Sequence, residues 1–157
     1  NYLGHFDTDP PGNRGTLVTP PKFVDRFVSI ARDASKIAML HCSGDAATDI
    51  ALDAYEKSAK SKAGASRPIQ RIEHFGMFQL SERQLARAKA LRPRGLAVSV
   101  QPAWLLGLAR ANVENMGKPL ALTGFRFRTM IAAGLEPAAG TDMTGIYLEN
   151  IDPMRAI

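Results

Sequence analysis

The sequence predicts an α/β fold made of parallel βα units. Three observations lead there. Short apolar runs of strand length recur along the chain, each is flanked by a segment of helical periodicity long enough to cross back over a sheet, and the alternation repeats four times. Four such units form either an open doubly wound sheet or half of an eight-stranded barrel. Periodicity alone does not choose between them.

The lead-in, residues 1–21, is rich in proline and glycine and reads as a loop. Phe23, Phe27 and Ile30 then recur at helical spacing, which predicts a helix over 20–34 opened by Thr19-Pro20-Pro21. Ile37-Ala38-Met39-Leu40 is a short apolar run, read as a buried strand that stops at His41-Cys42-Ser43-Gly44-Asp45. A second helix over 46–62 turns Ile50, Ala51, Ala54 and Tyr55 inward and breaks at Gly64-Ala65-Ser66. The second strand runs from Pro68 to Glu73 and stops at His74-Phe75-Gly76. Ser81 followed three residues later by Gln84 has the spacing of a capping box, so a third helix starts there and ends at Pro93-Arg94-Gly95. Leu96–Gln101 is the third strand. Residues 103–117 form a looser helical stretch closed by Gly117, and Gly124–Ala133 a further helix ended by Gly134. Leu135–Gly140 is the last strand, stopping at Thr141-Asp142-Met143-Thr144-Gly145, and 150–157 starts another turn or helix.

Composition narrows the class. The chain's 157 residues fit one domain, and 45% apolar with 22% charged residues is ordinary for a folded globular chain and wrong for a disordered one. No apolar run approaches the roughly 18 residues of a membrane span, so no membrane partner is expected. A single cysteine excludes an internal disulfide framework. The first residues, NYLGHFDTDPPG, show no signal peptide and read like the middle of a protein; the expected compartment is the cytoplasm. A formal net charge of +5 invites a nucleic-acid reading. The densest basic stretch, Arg83, Arg87, Lys89, Arg92 and Arg94, has no interleaved aromatics and falls on an amphipathic helix and its exit. It is read as a solvated helix face, and no nucleic-acid partner is expected.

Three of the four strands end in a potential metal ligand with glycine close behind: His41 in HCSGD, His74 in EHFG and Asp142 in TDMTG. In parallel α/β folds the ligand site lies at the carboxyl ends of the strands. Imidazole nitrogen and carboxylate oxygen are the donors of a hydrolytic zinc-type centre. One histidine at a strand end is commonly just a hydrogen-bonded residue; two histidines and an aspartate at equivalent ends suggest a shared site.

The segments HCSGDAATDIALDAYEKS, RIEHFGMFQLSERQLARAKAL, LAVSVQPAWL and AAGTDMTG, in that order, resemble the amidohydrolase superfamily, and within it the YtcJ-like amidohydrolases. Members show His-x-x-Gly-Asp, Arg-x-Glu-His, an x-Gln-Pro strand and Gly-Ser/Thr-Asp at about these separations. Each motif is weak alone and four in order are strong; the likeness runs from about Leu17 to Ile157. It implies strands 5–8 of a (β/α)8 TIM-type barrel, a partial barrel over 1–157 with 1–21 as its loop-rich lead-in. It also implies His41 and His74 as metal ligands, and Asp142 as ligand and general base. The implied cofactor is a divalent metal, zinc by donor type, and the implied substrate a small amide or formamide-like molecule hydrolysed at a non-peptide C–N bond. A non-catalytic ligand-binding relative of the same fold is the alternative. The family's His-x-His of strand 1 and its strand 4 ligand are absent, and Met143-Thr144 replaces an apolar-Pro pair. The chain is therefore expected to be inactive alone and to need the rest of the barrel, or an oligomer, for stability.

Other residues carry narrower expectations. Trp104 and Met143 are candidate substrate contacts, with core packing the alternative for Trp104. Cys42 should pack, with a ligand or nucleophile role as the alternative; Asp45 should cap the helix starting at Ala46, with catalysis as the alternative; and Arg71 and Glu73 should lie in the layer between sheet and helices, with substrate contact as the alternative. Arg126 and Arg128 are surface residues, with an anion clamp as the alternative, and His5 has no assigned role.

Overall fold

The computed structural model describes residues 14–61 and 69–142. Its elements follow the predicted order: α1 (Pro21–Asp33), β1 (Ala38–His41), α2 (Asp45–Lys60), β2 (Gln70–Glu73), α3 (Glu82–Leu91), β3 (Leu96–Val100), α4 (Trp104–Met116), α5 (Lys118–Ala121), α6 (Phe127–Ala132) and β4 (Ala138–Ala139), with a 3-10 turn at Arg92–Arg94. The strands form one sheet in the order β1-β2-β3-β4, each pair parallel. The register aligns Ala38 with Gln70 and Leu96, so the strand ends that carry His41, Glu73 and Ser99 come level.

Sequential order is informative. Right-handed crossovers that always step the same way put every helix on one face of the sheet, whereas a doubly wound sheet reverses at a switch point. Ala38, Ile72, Leu96, Val98 and Val100 accordingly join one core with Val28 of α1, Leu52 and Tyr55 of α2, and Leu85 and Ala88 of α3. The opposite face carries Met39, Arg71 and Ala97 in one register row, and Met39 is 54% exposed there. This is an arc of a barrel whose opposite, concave face is open at Met39 among the described residues.

Two buried polar side chains lock the layers. The Tyr55 hydroxyl lies within hydrogen-bond reach of the Ala38 carbonyl (3.1 Å) and the Arg71 carbonyl (2.8 Å), holding α2 against β1 and β2. Gln84 completes the capping box with Ser81 and donates from Nε2 to the Asp45 carbonyl at 2.8 Å, which joins the starts of α3 and α2.

Four expectations are corrected. Asp45 is the first residue of α2 and Gly44 its N-cap; the Asp45 carboxylate accepts from the next amide, Ala46 N, at 2.8 Å. The helix expected from Gly124 begins only at Phe127, because a side chain at Gly124 would sit 2.4 Å from the Phe78 carbonyl oxygen and the backbone must pass there first. The last strand shrinks to Ala138–Ala139, since Leu135 belongs to the core and Glu136 turns the chain at φ 48°. Arg71 and Glu73 pair with each other on the concave face, not in the layer beneath the helices. The break at Gly64-Ala65-Ser66, the start of β2 at Pro68, His5, and everything from Met143 onward lie outside the described residues.

The basic stretch is largely engaged with the protein itself. Arg87 pairs with Asp49, Asp53 and Glu56 of α2, Arg83 with Asp49, Arg92 with Glu136, and Arg94 donates to the Ala59 carbonyl. Arg126 likewise pairs with Glu82 and donates to the Leu80 carbonyl. Among the described residues no helix is long and apolar enough to cross a membrane.

Candidate metal centre

His41 ends β1 and points from the concave face, as alternation from buried Ala38 dictates. His74 follows β2 and reaches the same place by another route. Continued alternation would send it toward the helices with Ile72. Instead its backbone takes φ 61°, a left-handed conformation uncommon for a residue with a side chain, and the ring swings over the carboxyl end of the sheet. There it meets His41 edge to face, with ring centroids 4.5 Å apart.

The surroundings of His74 are specific. Its Nδ1 lies 2.8 Å from Gln101 Oε1, just beyond β3, in a buried contact. An amide oxygen only accepts, so Nδ1 carries the hydrogen and Nε2 the lone pair. Nε2 faces Asp142 Oδ2 at 3.9 Å. Asp142 follows β4, also with positive φ, and its side chain is 45% exposed. Trp104, at the start of α4, stacks on the far side of the His74 ring at 5.5 Å and donates from Nε1 to the Thr141 carbonyl at 3.2 Å. One indole thus backs the histidine and ties down the segment that carries Asp142.

His41 Nε2 sits 2.7 Å from Ser43 Oγ. Burial, then the neighbouring His74, lower its pKa below the usual imidazole value, against the opposing pull of Asp142 and Glu73. A neutral imidazole is the form that can ligate a metal. Cys42 points the other way, into the core; burial pushes its thiol up to about 12, so it offers neither a thiolate ligand nor a nucleophile.

The structure therefore brings His41, His74 and Asp142 to one end of the sheet. The donor chemistry suits a divalent cation. Two ligands of one zinc stand roughly 3–3.5 Å apart when each bond is about 2.0–2.2 Å, close to the 3.9 Å between His74 Nε2 and Asp142 Oδ2. Among the described residues no three histidine, cysteine, aspartate or glutamate side chains are gathered tightly enough to hold an ion unaided. Sequence reasoning missed Gln101 and the Arg71–Glu73 pair as parts of this site. Gln101 was visible in the Gln-Pro dipeptide at a strand end, but nothing local tells that it bonds a histidine 27 residues earlier.

Comparison with known proteins follows the same line. A model of the amidohydrolase family matches residues 5–157. The chain is 26% identical over 149 residues to "Putative amidohydrolase YtcJ" of Bacillus subtilis (strain 168), and 29% identical over 159 residues to "Protein LONG AFTER FAR-RED 3" of Arabidopsis thaliana. These alignments take in 95% and 99% of this chain but 26% and 25% of those proteins, so the chain spans about a quarter of the length of the curated relatives it matches. Among solved structures, an uncharacterized metal-dependent hydrolase from Pyrococcus furiosus superposes with a TM-score of 0.74 at 23% identity, over 99% of this chain and 32% of that one. A second such hydrolase, from Pyrococcus horikoshii OT3, gives 0.69 at 26% identity, over 84% of this chain and 24% of its own.

Proposed function

From the amidohydrolase family, to which this chain belongs, we propose that it supplies part of the metal centre of a hydrolase that cleaves non-peptide C–N bonds in small amide or formamide-like molecules. The observation that carries this reading is the pairing of His74 Nε2 with Asp142 Oδ2 across 3.9 Å at the carboxyl end of a parallel sheet, with the other nitrogen of His74 already committed to Gln101. His41, His74 and Asp142 would hold a divalent cation, zinc by donor type. The cation would supply Lewis acidity for the scissile carbonyl and for the attacking water.

The residues themselves do the rest. Asp142, with its side chain 45% exposed, takes a proton from the attacking water and passes it to the leaving amine. His41 and His74 would serve as nitrogen donors. Trp104 closes the wall behind His74; Met143, the other expected substrate contact, directly follows Asp142 in the chain. The whole chain, 1–157, is proposed as one partial barrel domain, and a cytoplasmic setting remains part of the proposal.

The test is a comparison of variants in the protein that carries this chain, assayed for zinc content and for turnover of N-acyl and N-formyl amines. Asp142→Asn keeps an oxygen for the ion but removes the base, so kcat should fall about 100- to 10,000-fold with metal content changed much less. His41→Ala and His74→Ala should lose metal along with activity. Near-full kcat in metal-loaded Asp142→Asn would make Asp142 structural. A protein that binds no divalent metal at all would leave the non-catalytic reading.

A further inference from the structure

Asp142 stands beyond the reach of the sheet that delivers it. β4 pairs with β3 only at Ala138 and Ala139, and among the described residues the last backbone bond to the sheet runs from Gly140 N to the Val100 carbonyl at 2.9 Å. Both residues of β4 are exposed, so packing adds little to their hold. Asp142 then takes φ 50°, outside the extended region that strand pairing imposes. The sheet fixes the chain as far as Gly140 and leaves the conformation of Asp142 to something else.

The next peptide is held by Trp104, whose Nε1 donates to the Thr141 carbonyl at 3.2 Å. That carbonyl and the Asp142 amide belong to one planar unit. Holding the carbonyl therefore fixes the plane from which φ of Asp142 is turned. The indole is itself well anchored. Trp104 N donates to the Gln101 carbonyl at 3.2 Å, and Leu105 N and Leu106 N repeat the same three-residue step to Pro102 and Ala103, which makes a tight turn. The ring stacks on His74 with centroids 5.5 Å apart and 29° between planes. The Gln101 side chain holds Nδ1 of that same histidine at 2.8 Å. At 6% exposure the indole offers little surface to a substrate. An indole is flat and donates from its edge, so one side chain can stack on an imidazole and hold a carbonyl at once; a phenyl ring can only stack.

We infer that Trp104 is a positioning residue: its bond to the Thr141 carbonyl sets the left-handed backbone of Asp142, and its stack on His74 ties that backbone to the histidine ring, so that Asp142 Oδ2 faces His74 Nε2. His74 follows β2 and Asp142 follows β4, with β3 between them, so the indole spans a gap that no strand pairing closes. The conformation of Asp142 stands independently of any metal; its value to a bound ion rests on the function proposed above.

The experiment reads Asp142 by backbone NMR shifts, with aspartate labelled, in the metal-free protein that carries this chain, alongside competition for Zn²⁺ alone against a chelator. The wild type should show left-handed carbon shifts at Asp142. Trp104→Phe keeps a ring against His74 but has no N–H, so Asp142 should average over left-handed and extended forms and Zn²⁺ affinity should fall about 3- to 10-fold, the worth of one hydrogen bond. In an Asp142→Ala background the same change should cost less than about 2-fold, because the group that Trp104 places is gone. Equal losses in the two backgrounds overturn the inference, as does an Asp142 that is not left-handed in the wild type or is unchanged in Trp104→Phe. If Trp104→Phe does not fold, replacement of Trp104 by benzothienylalanine, of the same shape with sulfur in place of N–H, makes the same measurements. An Asp142 that shifts as expected in a protein that binds no Zn²⁺ supports the inference and counts instead against the metal-centre reading.

Discussion

His74 occupies the site because of its backbone as much as its ring. A φ of 61° costs a residue with a side chain on the order of 1–3 kcal/mol, and asparagine tolerates that region far better than a β-branched residue does. His74→Asn should therefore keep stability within about 1 kcal/mol of wild type in urea unfolding, while His74→Val should lose a further 1–2 kcal/mol or so; equal losses would show that the conformation exerts no strain. Gly76 follows the same turn at φ 67°, and a Cβ there would sit 2.7 Å from Met130 Cε and 3.1 Å from Leu80 Cβ. Gly76→Ala should cost roughly 1–3 kcal/mol through both strain and overpacking. These positions also mark how far residues can be read from sequence. Three strand ends carrying His, His and Asp were legible because the carboxyl edge is where parallel sheets put their chemistry. The swing of His74 was not, because alternation describes extended backbone and fails at the first left-handed residue. The same failure misplaced Arg71 and Glu73: counted back from His74 they fall beneath the helices, whereas counted from buried Ile72 they fall on the concave face.

At the scale of elements, what is encoded locally was readable and what depends on distant contacts was not. The capping box of α3 needs only Ser81 and Gln84, and it is present as the spacing indicates. The late start of α6 depends on a carbonyl at Phe78, which no window around Gly124 contains. The pairing of α2 with α3 is of the second kind too. Arg87 is threaded among Asp49, Asp53 and Glu56 with only 14% of its side chain exposed. The hydrogen bond from Arg87 is the largest influence on Glu56 and holds its carboxyl below the usual range. A depressed folded-state pKa stabilises the fold above the unfolded carboxylate pKa and loses that contribution as pH falls through the folded value. Arg87→Met should thus destabilise by roughly 1 kcal/mol at neutral pH, and the difference from wild type should shrink as pH drops below about 4.5. A gap that persisted into acid would mean that Arg87 acts through packing alone.

Across the whole molecule, a one-sided layer leaves work undone. The helices cover one face of the sheet, but β1 and β4 have no outer strand partner among the described residues. Along the β1 edge runs a groove of about 660 Å³ bordered by Val18, Phe23, Phe27, Met39, His41 and Ile50. Met39, Phe23 and Phe27 are about half exposed there, and Ile30 of α1 is 58% exposed. Unpaired parallel edges and an apolar groove together favour association, and an incomplete ligand set weakens metal binding and admits water. We therefore expect the isolated 157-residue chain to sediment as oligomers or aggregates at micromolar concentration, to bind a hydrophobic dye, and to turn over no N-acyl or N-formyl amine when loaded with zinc. Charged substitutions on the apolar edge, Phe23→Glu with Phe27→Lys, should shift the isolated chain toward monomer and reduce dye binding, since both side chains line the groove and neither joins the core. A monodisperse monomer with a sharp cooperative unfolding transition would show that the arc is self-sufficient, and turnover by that monomer would show that His41, His74 and Asp142 suffice without further ligands.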